Sequence, residues 1–341
     1  MKEGKGYTGL VNLGNTCFLN ACIQIMNHTY ELNDFLQSNN YPKNNIPDSV
    51  ILNEWNELNQ LLWKENGIIS PNKFIHHIQH IARYKQKDLF TGWAQNDMSE
   101  FLLFFIDCIH NSISRGIVVN IAGNPENTTD QLAVQCYTML KEIYTKEYSE
   151  IMEYFYGIYV SEIISMDGSI KHTIKPEHYF MLDLPIIGHH GNIFKTIYEC
   201  LDHFISPEIL EGENAWFNEK TKEKENVKKQ ITFWNFPKLA VFTFKRFSPD
   251  GSRKITDYID YPINDLQLTK YISGYSATSY IYELYGVCNH IGTPYGGHYT
   301  SFVKNYKNEW IHYNDTNLEL IHDMNRIVSP EAYCLFYRRK E

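Results

Sequence analysis

The sequence predicts an α+β protein in which helices come first and antiparallel strands follow. Two observations carry this expectation. Apolar residues recur at i, i+3, i+4 and i+7 in most segments up to about residue 155; from Tyr156 the period drops to two, and β-branched and aromatic runs fill the last third. With 43% hydrophobic residues the 341-residue chain can bury a large core, and no internal repeat or low-complexity linker divides it.

The first element is the stretch Gly9-Leu10-Val11-Asn12-Leu13-Gly14-Asn15-Thr16-Cys17-Phe18-Leu19-Asn20. A Gly/Asn-rich turn over residues 12–16 leads into an amphipathic helix with Leu19, Cys22, Ile23 and Met26 on one stripe, which puts Cys17 at a helix N-terminus. Unpaired backbone N–H groups and the helix dipole favour an anion there, so the Cys17 thiol is expected to ionise more easily than a free one. A lone cysteine is otherwise a small core residue, so its partners downstream decide.

A Pro/Asn-rich loop at 41–47 precedes a helix over 50–63, carried by Leu52, Trp55, Leu58 and Leu62. Ser70 reads as an N-cap with Pro71 at the first helical position, opening a helix with Phe74, Ile75, Ile78 and Ile81. On it His76 and His80 lie one turn apart beside His77, yet no Glu follows in a protease pattern and no third ligand is evident, so a surface or packing role is expected. Gln95-Asn96-Asp97-Met98-Ser99-Glu100-Phe101 opens a helix through Leu102, Phe105 and Ile109, in which Asp97 and Glu100 have capping-box spacing. Residues 112–130 are a polar excursion, and helical spacing resumes over 132–143.

From Tyr156, Ile158 and Val160 alternate with polar residues, Asp167-Gly168 signals a hairpin, and Ile170 and Ile174 lie on the return strand. Residues 180–185 read as a strand and 193–204 as a helix; the Lys/Glu-rich 218–229 reads as a solvated tip or loop. Residues 239–247 have the composition of a buried strand, Pro249-Asp250-Gly251 turns the chain, and strands at 280–288, 298–304, 310–313 and 333–337 complete it.

The net charge of −9 argues against nucleic acid and anionic membrane as partners. Seven cysteines (17, 22, 108, 136, 200, 288 and 334) form neither an even set nor a Cys-x-x-Cys pair, and they read as reduced thiols. The N-terminus lacks a signal-peptide core and no run of about 18 apolar residues is present. A cytosolic or nuclear location is expected.

Tyr295-Gly296-Gly297-His298-Tyr299 lies between two expected strands, and the glycines leave the His298 imidazole uncovered, as suits a general base. Downstream comes Trp310-Ile311-His312-Tyr313-Asn314-Asp315. If these strands pair as a hairpin, Asn314 or Asp315 can reach the far ring nitrogen of His298 and fix its tautomer. Cys, His, then Asn or Asp is the chain order of papain-like cysteine hydrolases.

Residues 9–24, 95–101 and 285–320 resemble the cysteine, Gln-Asp and histidine boxes of the ubiquitin-specific proteases. Residues 239–247, ending Phe244-Lys245-Arg246-Phe247, resemble the strand before the histidine box, and 333–337 the family's last strand. The resemblance implies a papain-like cysteine peptidase fold in one catalytic domain, with a helical thumb over about 1–155, β fingers over 156–237 and a β-sheet palm over 238–341. It also implies hydrolysis of the isopeptide or peptide bond after ubiquitin's C-terminal glycine, through a thioester on Cys17.

By the same resemblance His298 is the general base, Asn314 orients it, Asp315 is the helping acidic neighbour, and Asn12 donates to the oxyanion. Gln95, Asp97, Glu100, His290, Gly297 and Tyr299 match the channel for ubiquitin's tail, with the two carboxylates facing its arginines. Ubiquitin and its conjugates are the implied partners of a monomer without cofactor. The chain departs from the family where most members carry zinc-binding Cys-x-x-Cys pairs: the matching places read Ile164-Ser165-Met166-Asp167 and Trp216-Phe217-Asn218-Glu219, so no metal site is expected and Trp216, Phe217, Phe233 and Trp234 are expected to hold the fingers. A protease for another ubiquitin-like modifier, or an inactive ubiquitin-binding module, is the alternative.

Overall fold

The computed structural model describes residues 5–189, 191–248, 250–275 and 279–340. A short parallel pair, β1 (Thr8–Leu10) and β2 (Gly67–Ile69), edges a helical layer made of α1 (Cys17–Asn27), α2 (Tyr30–Ser38), α3 (Ser49–Lys64), α4 (Asn72–Tyr84), α5 (Met98–Ile113), α6 (Thr128–Glu147) and α7 (Glu150–Phe155). Strands β3 (Gly157–Ser165), β4 (Lys171–Tyr179) and β5 (Met181–Leu184) follow, then α8 (Ile197–Phe204), β6 (Glu208–Leu210), β7 (Trp216–Asn218), β8 (Glu223–Glu225), β9 (Val227–Asn235) and β10 (Leu239–Phe244). The chain finishes with β11 (Leu266–Gln267), β12 (Ile281–Thr293), β13 (Gly296–Lys304), β14 (Trp310–Asn314), β15 (Asn317–Ile321) and β16 (Ala332–Arg339).

The largest sheet has the order β15-β14-β13-β12-β16-β10-β5, with β11 on β12, and its β10–β5 pair is parallel. Alternate residues serve two cores. Val241 and Phe336 join Trp55, Phe101 and Phe105 under the helical layer, whereas Phe242, Leu335 and Tyr337 pack on the opposite face against Ile197 and Leu201 of α8. A strand buried on both faces has no polar alternation, which is why 239–247 and 333–337 read as continuous apolar runs. A second sheet, β4-β3-β9-β6, extends from the first and carries Ile158, Val160 and Trp234 against Ala133 and Cys136 of α6.

Several expectations change. Helix α2 was not anticipated; with Leu32, Asn33 and Leu36 buried it shows only a short stripe. Helix α4 begins at Asn72, after Pro71, whose carbonyl accepts the first helical N–H from Ile75 at 3.0 Å, and Ser70 accepts from the Asn72 side chain instead of capping the backbone. The helix expected over 193–204 begins only at Ile197, because Thr196 caps it by accepting from Glu199 N at 3.2 Å while Ile193 and Thr196 bridge to Ile187 and Asp260. Residues 218–229 combine an exposed turn at 219–222, as expected of a solvated tip, with strand on its return side: β8 and the start of β9 carry Lys and Glu, so no apolar alternation marks them. Strand β5 and helix α8, inside the span expected for the fingers, belong to the large sheet and its outer core. Pro249 of the expected turn lies outside the described residues, and Gly251 N bonds to Ser248 O at 2.8 Å.

At the end of the smaller sheet, near the Cys-free positions, the His172 ring packs 5.2 Å from that of Trp216 and Asn218 Nδ2 donates to Glu225 Oε1 at 2.7 Å. Among the described residues no three His, Cys, Asp or Glu side chains gather as a metal would need. His76 and His80 are exposed on α4, and His77 Nδ1 bonds to the Lys73 carbonyl at 2.9 Å. Among the described residues no helix is long and apolar enough to cross a membrane.

Candidate active site

The site is assembled where the first turn of the chain meets the far edge of the large sheet. Leu10 N bonds to Asp315 O at 2.9 Å, and a Cβ on Gly9 would stand 2.6 Å from Thr316 O, so only glycine allows β1 to lie this close to the β14–β15 turn. That contact brings Asn12 to Asp315, whose Oδ2 accepts from Asn12 Nδ2 at 3.0 Å; its Oδ1 accepts from Asn20 Nδ2 at 2.8 Å. Asn12 Oδ1 in turn accepts the backbone N–H groups of Gly14 and Thr16, both at 3.1 Å. The Asn12 amide is therefore fixed on three sides, with one N–H bond direction not used by Asp315.

Cys17 is the first residue of α1, which is buried along its whole length. Its polar face reads neighbouring chain, not solvent: Gln24 Nε2 donates to Thr8 O at 2.8 Å, and Asn27 accepts from Asn59 Nδ2 at 2.8 Å. This burial overturns the expected easy ionisation of the thiol. Desolvation pushes Cys17 above its ordinary value and Asp315 adds to the rise, against the backbone N–H groups of Tyr299, Phe18 and Cys17, which favour the thiolate. The helix terminus acts as expected, but loss of water outweighs it.

The thiolate fraction of the free protein should therefore still be climbing above pH 8.5, the midpoint of an ordinary cysteine, with Cys17 alkylation by iodoacetamide rising about tenfold per pH unit between 7 and 8.5. Mass spectrometry of the Cys17 peptide measures this rate, and a plateau near pH 7 would contradict it.

His298 lies within β13, and the pairing of β13 with β14 puts Ser301 opposite Tyr313 and Phe302 opposite His312. Side chains alternate faces, so His298, Phe302, His312 and Asn314 share one face. There His298 Nε2 meets Asn314 Oδ1 at 2.7 Å, whereas Asp315 Oδ2 is 3.9 Å from the same nitrogen. The choice left open between Asn314 and Asp315 is thus made by register: the even-numbered residue faces the imidazole and the next one turns toward Asn12. An Asn carbonyl oxygen can only accept, so Nε2 carries the proton and Nδ1 is the basic nitrogen of the neutral ring. No hydrogen bond joins Cys17 to His298 among the described residues; the backbone N–H groups of Tyr299, Phe18 and Cys17 beside the thiol favour its anion.

A groove of about 380 Å³ opens over the thiol, and Cys17, Gln95, Asp97, Glu100, His290, Gly297 and Tyr299 all line it. Asp97 Oδ1 caps α5 by accepting from Ser99 N at 2.8 Å and Glu100 N at 3.2 Å, and Asp97 Oδ2 accepts from Tyr333 at 2.6 Å and Tyr299 at 3.2 Å. Both oxygens of Asp97 accept hydrogen bonds within the protein, while the residue also lines the groove. The reciprocal half of the capping box is absent; the Glu100 side chain makes no bond to Asp97 N and stays in the groove. Burial, then the charge of Asp97, raises the Glu100 carboxyl above its usual range. His290 is buried against Tyr299, with ring centroids 4.7 Å apart, and desolvation followed by the charge of Lys254 lowers it to about 4, so it is neutral near pH 7.

The family described as ubiquitin carboxyl-terminal hydrolase matches residues 8–337. The chain belongs to that family. It is 32% identical over 348 residues to ubiquitin carboxyl-terminal hydrolase 2 of Gallus gallus, covering 98% of this chain and 94% of the relative. To the Homo sapiens protein of the same name it is 30% identical over 349 residues, 98% of this chain but 56% of that one; the chain thus spans about half the length of that relative. Among solved structures, a SAGA DUB module of Ubp8, Sgf11, Sus1 and Sgf73 bound to monoubiquitin has a chain that matches all of this one and 71% of itself, with 24% identity and a TM-score of 0.75. A structure of the yeast SAGA DUB module matches at 26% identity and a TM-score of 0.72, again over all of this chain and 70% of that one. The family fold, with helical thumb, β-sheet palm and β fingers, is the one described above.

Sequence reasoning missed Asn20, Asn15, Phe247 and Tyr333. Asn20 sits one turn after Cys17 on α1, and its Nδ2 donates to Asp315 Oδ1. Phe247 lines the groove, and the Tyr333 hydroxyl reaches Asp97 from a strand at the centre of the sheet; only the strand order brings that pair together.

Proposed function

We propose that this chain is a deubiquitinating thiol protease that hydrolyses the bond after ubiquitin's C-terminal glycine. One observation carries the reading most directly: the helix-terminal thiol that opens on the groove stands on α1, which packs against β13, the strand that carries an imidazole with an oriented proton. His298 Nδ1 takes the Cys17 proton as sulfur attacks the glycine carbonyl carbon. The tetrahedral oxyanion is met by the Cys17 backbone N–H and the second N–H of Asn12, a contribution of roughly 3–4 kcal/mol for such a donor. Collapse expels the amine, which takes the proton from His298 Nδ1 and leaves a thioester on Cys17. A water, deprotonated by the same nitrogen, then releases the carboxylate and the thiol.

Gln95, Glu100, His290, Gly297 and Tyr299 are assigned to the channel for the substrate tail, with Glu100 as the carboxylate for an arginine; Asp97 acts by holding the thumb to the palm. The α1–α7 layer is the thumb. The fingers come from residues 156–179 and 205–236, and the palm from 180–204 and 237–340. Seven free cysteines support a reducing compartment, cytosolic or nuclear.

The test is incubation of wild type and Cys17→Ala with ubiquitin carrying a C-terminal thiol-reactive electrophile. A mass shift that depends on Cys17 supports the reading. A folded wild type that forms no adduct would overturn it, and the same probe built on other ubiquitin-like proteins would then identify a different modifier.

A further inference from the structure

We propose that the Gln95 amide is a latch that closes the groove over the reacting bond and must open for every substrate folded on both sides of that bond. This rests on the deubiquitinase reading above.

Gln95 lies in the thumb segment before α5, and Gly297 in the palm hairpin of β12 and β13. Gln95 Nε2 donates to Gly297 O at 3.1 Å, and Gly297 N donates to Gln95 Oε1 at 3.1 Å, so one side chain imitates a strand partner across the groove. Glycine makes the approach possible: a Cβ on Gly296 would lie 2.9 Å from Gln95 Oε1, and one on Gly297 would lie 2.4 Å from Ile291 O and 2.5 Å from His290 Nε2. The same thumb segment is tied to the turn before Cys17, where Asn15 Nδ2 donates to Trp93 O at 3.0 Å. Helix α1, which begins at Cys17, in turn packs against β13, and Cys17 and Tyr299, two residues beyond Gly297, share one buried cluster.

These contacts form a closed ring: the Asn15 turn, the 93–95 segment, the hairpin, β13 and back to Cys17. A peptide that reaches the thiol within this ring has to be threaded or the ring has to open. A chain with one small end can thread. A ubiquitin conjugate cannot, because a folded protein stands on each side of the scissile bond. Two links of the ring are neutral and solvent-exposed, the single Asn15–Trp93 bond and the Gln95 pair; only the Gln95 pair joins the segment before α5 to the hairpin, so the hairpin lifts off the groove by breaking that pair, while the ladders of β13 to β12 and β14 stay intact.

The experiment compares kcat/KM for two substrates: ubiquitin with a small C-terminal fluorophore, and ubiquitin isopeptide-linked to a folded protein. Wild type, Gln95→Ala and Gln95→Asn are measured, with melting temperature as a control for folding. Loss of the latch is expected to raise the conjugate-to-fluorophore ratio by roughly two- to tenfold, the factor a modest net hydrogen bond is worth. A merely structural Gln95 would lower both rates together and leave the ratio unchanged; an unchanged or reduced ratio overturns the latch. Wild type that turns over neither substrate indicts the deubiquitinase reading instead.

Discussion

Cys17→Ala is expected to lower kcat for a ubiquitin fluorophore substrate by roughly six orders of magnitude, the scale on which removal of a triad nucleophile acts. The groove and its lining stay in place, because Cys17 is a small buried side chain at the start of a helix whose packing is made by Phe18, Leu19 and the residues beyond it. Binding of ubiquitin, read by fluorescence anisotropy, should therefore change little. Stopped turnover with retained binding is the signature of a nucleophile; turnover above one per cent of wild type would move the chemistry elsewhere.

Asn314→Ala should reduce kcat/KM by about 10³–10⁴-fold, and Asp315→Ala by about 10²–10³-fold, because the first frees the imidazole and the second frees an oxyanion donor. The 2.7 Å contact of His298 Nε2 belongs to Asn314, and the 3.0 Å contact of Asn12 Nδ2 belongs to Asp315. The two effects also differ in kind. Loss of Asn314 changes the tautomer and should alter the pH profile of kcat/KM, whereas loss of Asp315 leaves the buried Asn20 amide only its longer 3.4 Å bond to Val11 O and should lower stability by about 1 kcal/mol. Steady-state rates across pH and thermal melting separate them. The reverse ranking of rates would make Asp315 the orienting residue.

Asp97 shows how far the sequence could be read. Its capping role was legible from spacing, and it does cap α5. That its other oxygen is held by Tyr299 and Tyr333 was not, since those tyrosines lie far along the chain and reach it only through the order β13-β12-β16. The Lys/Glu-rich strand β8 and the start of β9 escaped for the opposite reason: with ions along them, they carry no hydrophobic period for a local reading to detect.

The sequence by itself determined the α+β class, the placement of Cys17 at a helix start, the His298 strand and its neighbouring Asn314, and the membership of the family. Each rests on short-range pattern or on a motif whose residues are contiguous. Only the tertiary structure decided which of Asn314 and Asp315 faces the imidazole, how the thiol titrates, and that Gln95 spans the groove. Those depend on strand register, on the water excluded around α1, and on close approach between distant backbones, and no local spacing encodes any of them.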